Sequence, residues 1–271
     1  MRGASTASLA AARERLDTLL QSSSVQPSRV GDDLLAVVGL LDRQPTLRRV
    51  LTDVGRTGPD RAGLIQLVLA GQVSSEAVEL VAGAVRDRWA TPSELSAGLE
   101  ELGLDAVLAS AERAGRLDAV EDELFRFARL VEANPALRSA LVDRSAPAES
   151  RRGLVHSLLE DKATPETLRL VDHAVLGRRE RSLDVALERM SDLAARRRQH
   201  EVATVRVARP LPDDQRERLA RALAERHGRP VRLNVVVDPD VVGGVLVEMG
   251  DEVVDGTVAT RLDQARRHIA G

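Results

Sequence analysis

Two stretches of this chain repeat one another ninety residues apart, and no other feature constrains the fold as tightly. The first, from Leu34, reads LLAVVGLLDRQPTLRRVLTD; the second, from Leu124, reads LFRFARLVEANPALRSALVD. The register continues without a gap to Arg88 and its partner, and 17 of the 55 paired positions are identical. Ala, Leu, Val and Arg are abundant enough to inflate such a score, but the matched Pro45/Pro135 and Gly63/Gly153 are not a product of composition. A repeat of this period marks one supersecondary unit used twice.

Within the unit the apolar residues fall at helical spacing. Leu9, Leu16 and Leu20 share a stripe in a first helix over residues 5–21, and Leu34, Val38 and Leu41 repeat at i, i+4 and i+7 in a second. Gln44-Pro45 and Asn134-Pro135 each read as a cap followed by proline in the first helical turn, where its missing N–H costs nothing. Leu47, Val50 and Leu51, matched by Leu137, Ala140 and Leu141, predict a short buried face. Leu64, Ile65 and Val68 match Leu154, Val155 and Leu158; Val78, Val81 and Val85 match Leu168, Val171 and Val175. Five or six helices with short connections predict an antiparallel bundle in each copy. Pro92 opens a helix carrying Leu95, Leu99 and Leu102, and after Gly103 the pattern resumes with Leu104, Val107, Leu108 and Ala111. The copies are therefore joined either rigidly or by a hinge at Gly103. Gly83 and Gly39 of copy one stand where copy two has His173 and Arg129, and glycine within a helix costs about 1 kcal/mol relative to alanine, so copy one is expected to be the less stable bundle.

After a long amphipathic helix from Ser182, ending in Arg196-Arg197-Arg198, the texture changes. Val202 to Val207 reads as a strand, Pro212 to His227 as a helix with Leu219 and Leu223 inward, and Val231, Leu233, Val235 and Val237 as a half-buried strand. Val245–Met249 and Glu252–Val254 flank a tight hairpin, and Val258–Ala270 reads as a final helix. The fold class is mainly α with a small C-terminal α+β domain: two tandem antiparallel bundles over residues 1–102 and 103–200, then a small sheet-and-helix domain over 201–271.

Composition excludes several functions. The net charge of −3 opposes phosphate-driven nucleic-acid binding, and three aromatics, Trp89, Phe125 and Phe127, provide no base-stacking platform. With no cysteine there is no disulfide or thiolate nucleophile. The five histidines make no HxxxH or HExxH pair, so no metal is expected. Gly243-Gly244 lacks the Gly-Lys-Ser/Thr end of a phosphate loop and reads as a turn or bulge. Asp213-Asp214 heads a helix, where acidic residues stabilise the exposed N–H groups. No catalytic set and no cofactor site is recognisable. No apolar run reaches the roughly 20 residues of a membrane span, so membrane contact is expected only through partners.

The stretch VRLNVVVDPDVVGGVLVEMG from Val231 to Gly250, followed by Asp255-Gly256-Thr257 and Arg261-Leu262, resembles the signature of the δ subunit of F-type ATP synthases, the oligomycin-sensitivity-conferring protein of mitochondria. Gly115-Arg-Leu-Asp118 and Asn134-Pro-Ala-Leu137 resemble its helical domain, so the likeness covers about residues 104–271. The extended, arginine-rich form resembles actinobacterial δ subunits. The resemblance implies a non-catalytic stator at the cytoplasmic face of the cell membrane. Its partners would be the α and β subunits of the catalytic head and subunit b of the peripheral stalk. In the family, an α-subunit helix lies between the first and fifth bundle helices. That groove maps here to about residues 104–114 and 166–177, with Leu108 and Leu170 as candidate floor. Val241 and Val245 are the candidate partner-binding residues of the C-terminal domain. A helical-repeat adaptor unrelated to ATP synthase, binding amphipathic peptides, is the alternative.

Overall fold

The computed structural model describes residues 3–177, 182–199, 201–227, 231–238, 241, 243–249 and 252–255. The chain divides into two compact units, Met1–Ala195 and Arg196–Gly271.

The first unit is helical. Copy one comprises α1 (Gly3–Leu20), α2 (Pro27–Arg43), α3 (Pro45–Val50), α4 (Gly58–Leu69), α5 (Ser75–Arg86) and α6 (Pro92–Arg113). Copy two continues with α7 (Leu117–Ala133), α8 (Pro135–Val142), α9 (Ala148–Leu159), α10 (Pro165–Leu176) and α11 (Leu183–Gln199). Helices α7 to α10 each begin ninety residues after α2 to α5, and α6 itself begins within one residue of where a ninety-residue shift would place the start of α1. One helix therefore serves twice, closing the first bundle and opening the second.

Sequence explains how α6 does this. Leu95, Leu99, Leu102, Ala106 and Ala109 form one stripe, in the copy-one core. Leu104, Val107, Leu108 and Ala111 form a second, in the copy-two core. A helix apolar on two faces must be covered on both. It runs through Gly103 without a break, so one continuous helix joins the copies. Residues 102 and 103 lie inside this shared helix. Gly103 has a packing role: a Cβ there would meet the Leu35 side chain at 2.9 Å, and one at Gly31 would lie 3.0 Å from the Gly103 carbonyl oxygen. Helices α2 and α6 thus cross in near backbone contact, and Leu35 packs against the second core. Helix α6 ends at Gly115, whose φ of 65° suits a residue without Cβ, and the Arg116 N–H closes the turn on the Ala111 carbonyl at 2.8 Å.

The duplication extends to polar details. Asp33 accepts hydrogen bonds from the Ser74 N–H and hydroxyl; Glu123 accepts the same two from Thr164. These bonds fix the N-terminus of α5 on α2 and of α10 on α7. Arg61 donates to the Val85 carbonyl at 2.8 Å, and Arg151 to the Val175 carbonyl at 2.9 Å. The paired Leu34/Leu124 and Leu41/Val131 are all 0 % exposed, each in its own core.

Two local expectations fail. Neither Gln44 nor Asn134 caps with its side chain; Asn134 instead donates back to the Leu130 carbonyl at 2.8 Å. Of the short faces expected at α3 and α8, only Leu51, the residue after α3, and Leu141 of α8 are buried; Leu47, Val50 and Leu137 are half-exposed and Ala140 is exposed. One or two turns lying on a bundle reach its interior with a single side chain. The two cores differ in size, and copy one has the larger. Among the described residues its core holds 25 buried apolar side chains against 19. They include Trp89, which donates its indole N–H to the Ala84 carbonyl at 2.8 Å and leaves no room for a Cβ on Gly98.

The second unit holds a four-stranded sheet of order β2-β1-β3-β4: β1 (Glu201–Val207), β2 (Val231–Val237), β3 (Val245–Met249) and β4 (Glu252–Asp255). Strands β1 and β2 are parallel, joined through α12 (Asp213–His227) as a βαβ crossover. Strands β3 and β4 pair antiparallel as the expected hairpin. Val205, Val207, Leu223, Val231, Leu233 and Val247 form the core. The inward alternation of β2 stops short of Val237, which is 49 % exposed beside exposed Val236. Gly243 and Gly244 have φ of 65° and 81°, the left-handed turn geometry expected of that pair. The expected final helix over 258–270 lies outside the described residues.

Candidate docking cleft

A cleft of about 690 Å³ lies between α2 of copy one and α10 of copy two. The α2 wall presents Leu35, Ala36 and Gly39, with Asp32 and Asp42 towards its ends; the opposite wall presents Leu176, with Arg169 from α10 and Arg152 from α9. Glu100 of α6 and His173 of α10 form its floor.

The floor is a charge network. His173 Nε2 lies 2.7 Å from Glu100 Oε1, and Glu100 is 4 % exposed. Arg189 of α11 lies 3.5 Å from Glu100 and from the adjacent Glu101, which also pairs with Arg13 of α1. Helices α1, α6, α10 and α11 are thereby linked across both copies. Beside the floor, His156 Nε2 lies 3.0 Å from Asp172 Oδ2. At the mouth, Arg169 Nε donates to Asp32 Oδ2 at 3.1 Å, tying one wall to the other.

A second cluster pins α10 to the end of α6. Glu166, 2 % exposed, accepts from Arg116 at 2.6 Å and from Ser110 at 3.1 Å. Burial pushes its carboxyl up, but hydrogen bonds from Arg116, its own backbone N–H and Ser110, with the attraction of the guanidinium, outweigh burial and hold it below the usual value. Arg116 is held above its ordinary range by its hydrogen bond to Glu166.

Of the residues expected from the sequence, Leu108 and Leu170 are 0 % exposed and belong to the second core. They line no open surface, because the faces of α6 and α10 that carry them turn towards each other. The open surface next to α10 is bounded instead by α2, which sequence reasoning on one bundle could not supply. The matching signal was Gly31 and Gly103, two small residues that set the α2–α6 crossing. In the second unit, Val241 sits half-exposed in the loop before β3, and Val245 begins β3, half-exposed against the third core. Among the described residues no group of three or more His, Cys, Asp or Glu could hold a metal ion, and no helix is long and apolar enough to cross a membrane.

Two bundles sharing a helix, a cleft framed by opposed charges and a small appended sheet unit define a helical docking scaffold. Known sequences make the assignment specific. The family described as the ATP synthase delta (OSCP) subunit matches residues 105–269. ATP synthase subunit delta of Streptomyces avermitilis is 50% identical over 99% of this chain and 98% of its own length. That of Streptomyces coelicolor is 50% identical over 100% and 98%, and that of Kineococcus radiotolerans 46% identical over 99% and 98%. The chain belongs to the ATP synthase delta (OSCP) subunit family. Because these relatives align almost end to end, they too contain the region that precedes residue 105.

Proposed function

We propose that this chain is the non-catalytic stator subunit of an F-type ATP synthase, linking the α-subunit N-termini of the catalytic head to subunit b of the peripheral stalk during proton-driven ATP synthesis. Full-length similarity to delta subunits carries the reading. The build supports it: a rigid helical unit suits one partner and a separate sheet unit another, and resisting torque requires stiff packing rather than chemistry. In this reading three regions act in series. Residues 1–102 extend the docking unit, residues 103–200 engage the head beside the β subunits, and residues 201–271 grip the stalk near Val241 and Val245. The protein would sit peripherally at the cytoplasmic face of the cell membrane, held there by its partners.

Affinity purification of the tagged chain from native membranes tests this. Recovery of α, β and b subunits together is the expected result. Recovery of the chain without them from membranes that hold an intact synthase would overturn it.

A further inference from the structure

We propose that the N-terminal copy supplies one wall of the head-docking site: the cleft between α2 and α10 receives an amphipathic helix that contacts both copies at once. The inference rests on the stator reading and adds to it, since a single bundle contains no equivalent of α2 in this place.

Three observations carry it. The cleft has the length and volume for a short helix laid along it. Positions 32 to 42 on α2 span about 15 Å at the helical rise of 1.5 Å per residue, and 690 Å³ accommodates the side chains of one helix face. Its apolar strip is narrow: Leu35 and Leu176 face it, while Ala36 and Gly39 leave the space open. The only atom near a Cβ built on Gly39 is the end of Arg43, at 3.3 Å. Finally, the rims differ in net charge: Asp32 and Asp42 outnumber Arg43 on the α2 side, and Arg152 and Arg169 outnumber Asp172 on the other. The occupant that fits is a helix with an apolar stripe, basic residues on the flank facing α2 and acidic residues on the flank facing α10. The Arg169–Asp32 pair across the mouth is 36 % and 49 % exposed, a weak latch that such flanks would replace.

Copy one has no matching cleft chemistry on its own first and fifth helices. Gly83 and Ala10 stand where copy two has His173 and Glu100. One site made jointly, rather than two independent sites, follows from that difference.

The test is a fluorescence-anisotropy titration of the full chain with a labelled peptide carrying the N-terminal helix of the α subunit. Ala36→Glu and Gly39→Arg alter the α2 wall at positions that do not enter the core. Arg169→Glu alters the opposite wall, and Ala7→Glu on α1 is the control. Each wall variant should weaken binding by about tenfold or more, as expected for a blocked groove position. Melting temperature should not fall, and binding to a soluble b-subunit fragment and the behaviour of Ala7→Glu should be unchanged. If the α2 variants bind like the parent while Arg169→Glu weakens binding, copy one forms no wall; the inference falls and head docking stands. If the parent does not bind the peptide, the stator reading fails with it. A concentration-dependent dimer abolished by the α2 variants would assign the cleft to a second copy of the chain and overturn the proposal.

Discussion

Copies one and two have the same helices in the same register around unlike interiors. Copy one is dry. Its α1–α5 contact is made by Ala12, Leu16, Ala84 and Gly83, with Arg15 laid over Gly83 and paired to Asp87 at 2.8 Å. In copy two His173, Glu100, Arg189 and the Glu166–Arg116–Ser110 cluster occupy the corresponding region. The matched Glu76 and Glu166 make the contrast plain. Glu76 is half-exposed, its carboxyl lowered chiefly by its own backbone N–H and by Ser75; Glu166 is buried and lowered by a cross-helix arginine. The backbone plan tolerates both, since the capping carboxylates Asp33 and Glu123 and the carbonyl-binding Arg61 and Arg151 are retained in each. What differs is the layer that couples one helix to the next. The buried carboxylates Glu100 and Glu166 lie on α6 and α10, and Glu100 lines the cleft.

The largest effect is expected from treating the copies as separable. Removing residues 1–100 cuts α6 in half and strips α2 from Val107, exposing the second core. That fragment should aggregate or lose its cooperative melt by circular dichroism, whereas one keeping all of α6 should be less impaired. If both fragments melt like the parent, the shared helix is not structural.

Next come the paired cavity mutants Leu51→Ala and Leu141→Ala, both at residues that are 0 % exposed. Each should cost about 2–5 kcal/mol in urea unfolding, within one transition because α6 belongs to both bundles. Two separate transitions would break the idea of a common cooperative unit.

Gly31→Val places atoms against the α6 backbone, where a Cβ would already lie 3.1 Å from the Val107 nitrogen. Overpacking of this kind costs about 1–3 kcal/mol. Gly103→Ala should cost less, since its Cβ meets the movable Leu35 side chain. The reverse order would place the tight approach elsewhere.

Glu166→Gln should cost about 1–3 kcal/mol at neutral pH, the range for losing hydrogen bonds to a buried charged group, and Glu76→Gln less. Because the folded Glu166 lies below its usual value of 4.5, its contribution is complete above that pH and disappears as pH falls through the folded value. The variant should therefore have a flatter acid limb in thermal melts below about pH 4.5. Parallel acid limbs for parent and variant would remove Glu166 from the account.

The smallest effect is expected at Gly39→Ala, which meets only the flexible end of Arg43. It should stabilise copy one by about 0.5–1 kcal/mol, from the lower helix propensity of glycine. A loss of stability there would show that Gly39 serves packing as well as openness.

Much of this architecture was legible in the sequence. Ungapped register placed α2 to α5 and α7 to α10, because apolar periodicity and proline act locally. The tail motif placed the sheet and the family. Burial in α3 and α8 was misjudged, since apolar spacing tells which side chains could be buried and not how far a short helix reaches. Leu108 and Leu170 were correctly read as apolar positions facing inward, but an inward face can be a groove floor or a closed core. Only the separation of the two helices distinguishes those cases, and here they touch.

By itself the sequence determined the duplication, the helical class and the family, all of which depend on residue type and short-range spacing. Tertiary structure alone decided that α6 belongs to both bundles, that Gly31 and Gly103 meet, and that α2 stands opposite α10 across an open cleft. Those facts depend on which of two apolar faces packs against which neighbour. Hydrophobic burial is non-directional, so the pattern requires a partner for each face without naming it; shape complementarity between Gly31, Gly103 and Leu35 makes the choice.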